Sequence, residues 1–357
     1  MCTNITIPSN LKKMKTAGRT MDFGTAFSTK MHVIAVGTKM PPKISRPLKN
    51  ALTWETKYGY ISMRMWFKDK PHIFPITPGC WDGMNEHGLS VGVLWQPCSV
   101  YNKVPSDDTK RIFSINLADY ILGNFKTVAE ATAALPKIAV LEWISNESFD
   151  MPFHFILQDP TENKVVEYQP KENSDDGELR IFDCPNGIMC NAPFYQDALI
   201  EYTTDKENAE WNFNPHNQTN MKCGRGQEIN GSGMLDVPGD ATPPSRFVRA
   251  TAYNSAIWNP QNKEEATNWA LQLLSIMQVP RGTVLKKASD KEADYTQWSV
   301  LRDYNTEGGD SMYFYFFSQF NPTLFRIRLA DVNWHKEEII PVDQPSWCMD
   351  LPKLYKK

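Results

Sequence analysis

The first two dozen residues, MCTNITIPSNLKKMKTAGRTMDFG, constrain this chain more than any other stretch. Cys2 follows Met1 directly, and its side chain is small enough that Met1 is expected to be removed. A cysteine at a free N-terminus carries two reactive groups. The thiol can attack a carbonyl carbon, and the α-amine can take the thiol's proton. Their reference pKa values are about 8.5 and about 7.7–8.0, so either proton moves near neutral pH and no histidine is needed as base. Arg19 and Asp22 follow in a segment that reads as a second strand. A guanidinium beside a thiol favours the thiolate. A carboxylate can hold an ammonium or a substrate amide N–H. The competing reading is an incidental second-position cysteine followed by a short Gly-Arg-x-x-Asp pattern.

Beyond this stretch the apolar pattern alternates between strand and helix periods. Strands are expected over 31–37, 58–67 and 89–95, with a turn at Asn85-Glu86-His87-Gly88 and a proline-interrupted edge strand over 71–78. Helices are expected over 112–124 and, capped by Thr127 and stopped by Pro136, over 128–135. Strands return over 153–158, 164–169 and 179–182, and Asn186-Gly187 reads as a turn. A polar excursion over 205–244 precedes a helix capped by Ser245 and running to Trp258. Residues 263–279 form an amphipathic helix with Trp269, Leu273, Ile276 and Met277 near one face, and strands follow over 295–303, 311–318 and 324–330. This order predicts an α+β protein of antiparallel sheets covered by helices. No composition break marks a linker, so residues 1–357 are read as one domain.

Composition removes several function classes. Net charge is −3, from 38 basic and 41 acidic residues spread evenly, which argues against a nucleic-acid footprint. No apolar run reaches membrane-spanning length, and residues 1–30 hold no apolar signal core, so a cytoplasmic protein without a membrane partner is expected. The seven cysteines are odd in number and include no CxxC pair, against a disulfide framework or zinc site. The six histidines show no HExxH spacing, and no Walker or Rossmann glycine pattern occurs, so neither a metal nor a cofactor is expected. The 11 tryptophans serve either core packing or an aromatic-lined pocket.

The opening MCT with GRTMDFG resembles the start of the choloylglycine hydrolase family, the bile salt hydrolases and penicillin V acylases. Four further stretches match that family in chain order. Trp81-Asp82-Gly83-Met84-Asn85-Glu86-His87-Gly88-Leu89 is close to its DGMNEKGL turn. Asn186 to Pro193 (NGIMCNAP) aligns with its G-V-x-T-N-x-P segment, with Cys190 in place of Thr. Val237 to Ala250 (VPGDATPPSRFVRA) nearly reproduces LPGDxTxxSRFxRA. Tyr295 to Val300 (YTQWSV) is similar to its LTQYTSC strand, a core element. Together these cover Cys2 to about residue 330.

The resemblance implies the four-layer αββα sandwich of N-terminal-nucleophile hydrolases, with catalysis beginning at Cys2 after loss of Met1. It implies a linear-amide hydrolase in which the Cys2 thiolate attacks an N-acyl amide and forms a thioester. Asn191 and the Trp95 backbone N–H would hold the oxyanion, a donor of this kind contributing about 2.7–4 kcal/mol. Asp22 would orient the amine and the scissile amide, Arg19 would favour the thiolate, and Arg246 would support the network. Arg249 reads as structural. Trp95 departs from the Asn of bile salt hydrolases and the Tyr of Gram-positive penicillin V acylases and resembles the Gram-negative branch. Met21 and Trp81 are expected to line the acyl site, where two indoles favour a flat phenoxyacetyl group or a straight acyl chain over a steroid. Residues 194–236 supply an insertion like that through which Gram-positive members assemble, so a homotetramer is expected. Two other readings stay open: a catalytically silent acyl-amide binder of the same fold, and an internal-cysteine hydrolase using Cys80 or Cys98.

Overall fold

Two antiparallel sheets face each other, and helices cover their outer sides. The computed structural model describes residues 2–9, 14–41, 48–67, 79–103, 106–143, 151–203, 233–234, 236–285, 293–306, 311–318, 320–340 and 342. One sheet has six strands in the order Met189–Cys190, Cys2–Thr6, Thr16–Phe23, Tyr295–Asp303, Tyr313–Ser318, Phe325–Arg328. The other has eight, in the order Gly177–Asp183, Asn163–Pro170, Phe153–Gln158, Ser90–Trp95, Asp82–Asn85, Tyr60–Phe67, Phe27–Ile34, Glu338–Ile340. Helices Pro243–Ala256 and Lys263–Met277 pack on the first sheet, and Leu117–Asn124 packs on the second. The result is the expected four-layer αββα arrangement.

The register decides which residues share the space between the sheets. Cys2 lies opposite Met21 and Asn4 opposite Arg19, while Trp298 and Val300 flank Met21 and Arg19 from the other side. Side chains alternate along a strand, so Arg19 and Met21 fall on one face together with Cys2 and Asn4. The Asn186-Gly187 turn delivers Met189–Cys190 to the free side of Cys2–Thr6. Gly187 has φ +57°, and a Cβ there would lie 1.9 Å from Thr6 Oγ1, so only glycine fits this crossing.

Local capping sets the helix starts. Thr127 accepts from the Glu130 N–H at 3.2 Å, as its sequence position predicts, and Asn262 accepts from the Glu265 N–H at 2.9 Å. The helix carrying Arg246 differs from expectation. Thr242, not Ser245, is its cap, because Pro243 and Pro244 already have the backbone φ of a first helical turn. Ser245 instead donates its hydroxyl to Asp240 at 2.5 Å.

The strand expected over 31–37 runs instead over Phe27–Ile34, and two further boundaries moved. The apolar period beginning at Ile112 reads as helix, yet Lys110–Phe113 is a strand paired in parallel with Ile138–Leu141, and the helix begins only at Leu117. A long-range ladder outweighs local periodicity here. The last predicted strand is shorter, Phe325–Arg328, followed by a 3-10 turn over Leu329–Asp331. The proline-interrupted strand over 71–78 lies outside the described residues, as do 204–232 of the excursion on which the tetramer expectation rests. No helix among the described residues is long and apolar enough to cross a membrane.

Replacing Thr242 with alanine removes the acceptor for the Ser245 N–H. It is expected to cost about 1 kcal/mol of stability, seen as a lower urea midpoint at unchanged slope.

Candidate active site

Cys2 is the first residue of an interior strand, and its side chain is buried between the sheets. Its Sγ lies 3.3 Å from Arg19 Nη2 and 3.7 Å from Met21 Sδ. The backbone nitrogen of Cys2 donates to Asn191 Oδ1. The thiol and the nitrogen one atom chain away are therefore held by different groups, a cation for the first and an acceptor for the second.

Arg19 is fully buried, and its charge is met on several sides. Nη1 donates to the Trp81 carbonyl at 3.0 Å and to Asp82 Oδ2 at 3.2 Å. Nη2 reaches Met21 Sδ at 3.3 Å and donates to the Val93 carbonyl. The guanidinium also lies 5.5 Å from the centre of the Trp298 ring, a cation–π distance. The guanidinium is thus fixed beside the sulfur in a water-poor interior.

Asn191 is a bridge. Its Nδ2 donates to the Trp95 carbonyl at 2.7 Å, and its Oδ1 also accepts from Arg246 Nη2 at 3.3 Å. Arg246 lies in the first turns of its helix, so it points down onto the sheet and is fully buried. Nη1 donates to the Cys2 carbonyl at 2.8 Å and to Thr3 Oγ1. It also lies 3.6 Å from Asp22 Oδ2. Asp22 takes a hydroxyl hydrogen bond on each oxygen, from Thr296 at 2.6 Å and from Thr20 at 3.1 Å. Burial pushes the Asp22 carboxyl above its ordinary range, while Arg246 and the two hydroxyls pull it back. Arg249, one turn further on, bonds the carbonyls of Pro238, Asp240 and Ile276 and serves the helix and its leading loop, as its sequence reading held.

A run of rings borders this cluster. Phe23 lies 5.8 Å from Trp95 and 5.0 Å from Phe27, Phe27 lies 6.1 Å from Trp81, and Trp81 lies 5.2 Å from Phe153. Phe23, Phe27 and Trp95 are partly exposed, and Trp81 is buried behind them.

All eight residues singled out in the sequence thus converge: Cys2, Arg19, Met21, Asp22, Trp95, Asn191 and Arg246 by contact or hydrogen bond, and Trp81 through its carbonyl and ring. The structure adds Asp82, which reads in the sequence only as part of a turn motif, and Arg302, hidden in a core strand. It also adds Thr3, Thr20 and Thr296 as hydroxyl partners, and Phe23 and Phe27 in the aromatic border. No local pattern distinguishes these threonines, because their partners come from other strands. The internal-cysteine alternative fares differently. Burial pushes the Cys80 thiol well up, against thiolate formation, and its backbone N–H is held by Asp119 at 3.0 Å. Cys98 is exposed on a turn.

Residues 2–342 match the model of linear amide C–N hydrolases of the choloylglycine hydrolase family. Among curated proteins, the bile salt hydrolase/transferase of Clostridium perfringens (strain 13 / Type A) is 27% identical over 305 residues, 84% of this chain and 85% of that protein. Among solved structures, a mutant conjugated bile acid hydrolase from Clostridium perfringens superposes with a TM-score of 0.73 at 23% identity, covering 96% of this chain and 97% of its own. Penicillin V acylase from Agrobacterium tumefaciens superposes with a TM-score of 0.70 at 22% identity, covering 95% and 90%. The fold and the matched span together lead to one conclusion: the chain belongs to the choloylglycine hydrolase family and is an amidase acting on linear carbon–nitrogen bonds.

Proposed function

We propose that Cys2, made N-terminal by removal of Met1, is the nucleophile of this amidase. The observation that carries the reading is the Arg19 Nη2 to Cys2 Sγ contact of 3.3 Å in a buried setting. The thiolate attacks the acyl carbonyl, and the electron pair of the C=O moves to oxygen. Asn191 Nδ2 keeps one hydrogen on the Trp95 carbonyl and has a second for this oxyanion, alongside the Trp95 backbone N–H. The Cys2 amine takes the thiol proton and gives it to the leaving amine as the C–N bond breaks. Water then attacks the thioester with the same amine as base, which releases the acid and restores the thiol. Asp22 orients the amine and the substrate amide. Arg246 offsets the Asp22 charge and holds the Cys2 carbonyl, so the attacking residue cannot swing away.

While Met1 is attached, the Cys2 nitrogen is an amide and cannot act as base. Intact mass of active enzyme is therefore expected to show the chain without Met1. Cys2→Ala is expected to lower kcat/KM by roughly 10⁴-fold or more. Activity in a protein that retains Met1, or activity surviving Cys2→Ala and lost in Cys80→Ala, would overturn the assignment. An acyl electrophile that labels wild type but not Cys2→Ala excludes the silent binder.

The substrate class we propose is amides of flat or linear acyl groups, with penicillin V as the test case. Phe23, Phe27 and Trp95 support it, since three adjoining, partly exposed rings, one of them on the residue whose carbonyl takes the Asn191 amide, form a surface for a phenoxy ring or an alkyl chain. In side-by-side kinetics, kcat/KM for penicillin V or a straight-chain N-acyl amide is expected to exceed that for glycocholate. The reverse preference would sink the aromatic-slot argument and leave the Cys2 mechanism standing.

A further inference from the structure

Between the sheets, two guanidiniums share one carboxylate. Arg302 donates from Nε to Asp82 Oδ1 at 3.1 Å and from Nη2 to Asp82 Oδ2, so it takes both oxygens side-on. Arg19 has only Oδ2, at 3.2 Å. All three side chains are fully buried. The third nitrogen of Arg302, Nη1, is anchored on Gln158 Oε1 at 2.9 Å and Asn4 Oδ1 at 3.1 Å. Gly92 passes beneath both cations, and a Cβ there would lie 3.1 Å from Arg302 Nη2 and 3.3 Å from Arg19 Cδ.

Left with Asp82 alone, Arg19 could form a two-pronged pair with it, the geometry guanidinium and carboxylate favour. Its positive charge would then be largely cancelled. With Arg302 occupying both oxygens, the two cations outnumber the carboxylate, and the surplus lies against the sulfur. We infer that Arg302 is a positioning residue for the nucleophile: its grip on Asp82 leaves the charge of Arg19 directed at the Cys2 thiol. This rests on Cys2 being the nucleophile.

The other ionisable groups facing this line do not supply the effect. Burial pushes the Cys80 thiol and the Tyr304 hydroxyl well above their ordinary values, so both are neutral over the working pH range. Cys190 is likewise pushed up by burial. Asp22 and Arg246 face Cys2 from the helix side and pair with each other at 3.6 Å.

The test is the pH dependence of Cys2 alkylation by iodoacetamide in the full chain, followed by mass spectrometry of the N-terminal peptide so that Cys98 does not interfere. Thiol and amine titrate together, so the readout is the midpoint of the rate profile. Arg302→Met frees Asp82 for Arg19 and is expected to raise the midpoint by about one pH unit. Arg302→Lys keeps a charge but cannot span both oxygens, and raises it less. Asp82→Asn removes the shared anion and lowers it. The acid limb of kcat/KM is expected to move in the same order. A purely structural Arg302 would lower the unfolding temperature and leave the midpoints equal. Equality of Arg302→Lys with wild type, or a shift of Asp82→Asn upward, overturns the inference. Arg302→Lys, the mildest change, decides the matter where the other two do not fold. Iodoacetamide reads the thiol whether or not it turns over substrate, so activity surviving Cys2→Ala would sink the nucleophile assignment separately.

Discussion

A buried guanidinium is the constraint around which the rest of this molecule is arranged. Taking Arg19 out of water costs several kcal/mol unless its donors and charge are met. Its Nη1 and Nη2 donors and its charge are met by groups that no single element supplies: Asp82 and the Trp81 carbonyl from one segment, the Val93 carbonyl from another, and the Trp298 ring from the neighbouring strand. Both sheets must be in place before Arg19 is satisfied. The Cys2 thiol therefore meets a fixed cation only in the assembled sandwich.

Arg246 plays the complementary part at the backbone end of Cys2. It belongs to a helix, and its partners belong to the sheet: the Cys2 carbonyl, Thr3, Asn191 and Asp22. The helix is aimed by its own first turn, where Thr242 caps and two prolines preset the backbone. Cys2 is thus gripped on its sulfur side by a strand residue and on its carbonyl side by a helix residue. These two arginines and the flanking strands fix the position of Cys2.

The Cys2 nitrogen sits on Asn191, which in turn sits on Trp95. This links Cys2, Asn191, Trp95 and the aromatic border into one connected set. The Trp95 backbone is positioned by pairing with Phe153 across the ladder. The side chain lies partly exposed beside Phe23.

Much of this was legible in the sequence. Helix caps at Thr127, strand periods, the Asn186-Gly187 turn and the ordered motifs from Cys2 to Arg246 are local signals, written in residues close along the chain. The periods and caps specify an α+β protein of antiparallel sheets covered by helices, and the resemblance carried by the motifs implies the sandwich and points to eight residues that the structure brings together. Errors came where distant contacts outweigh local preference. Ile112 reads as helix but is claimed by a strand partner 28 positions later, Val140. Asp82 reads as a turn residue and Arg302 only as part of a strand, although the two pair across the sheet gap. Only the tertiary structure decides such pairings, because a buried charge has no sequence signature apart from the opposite charge that happens to face it.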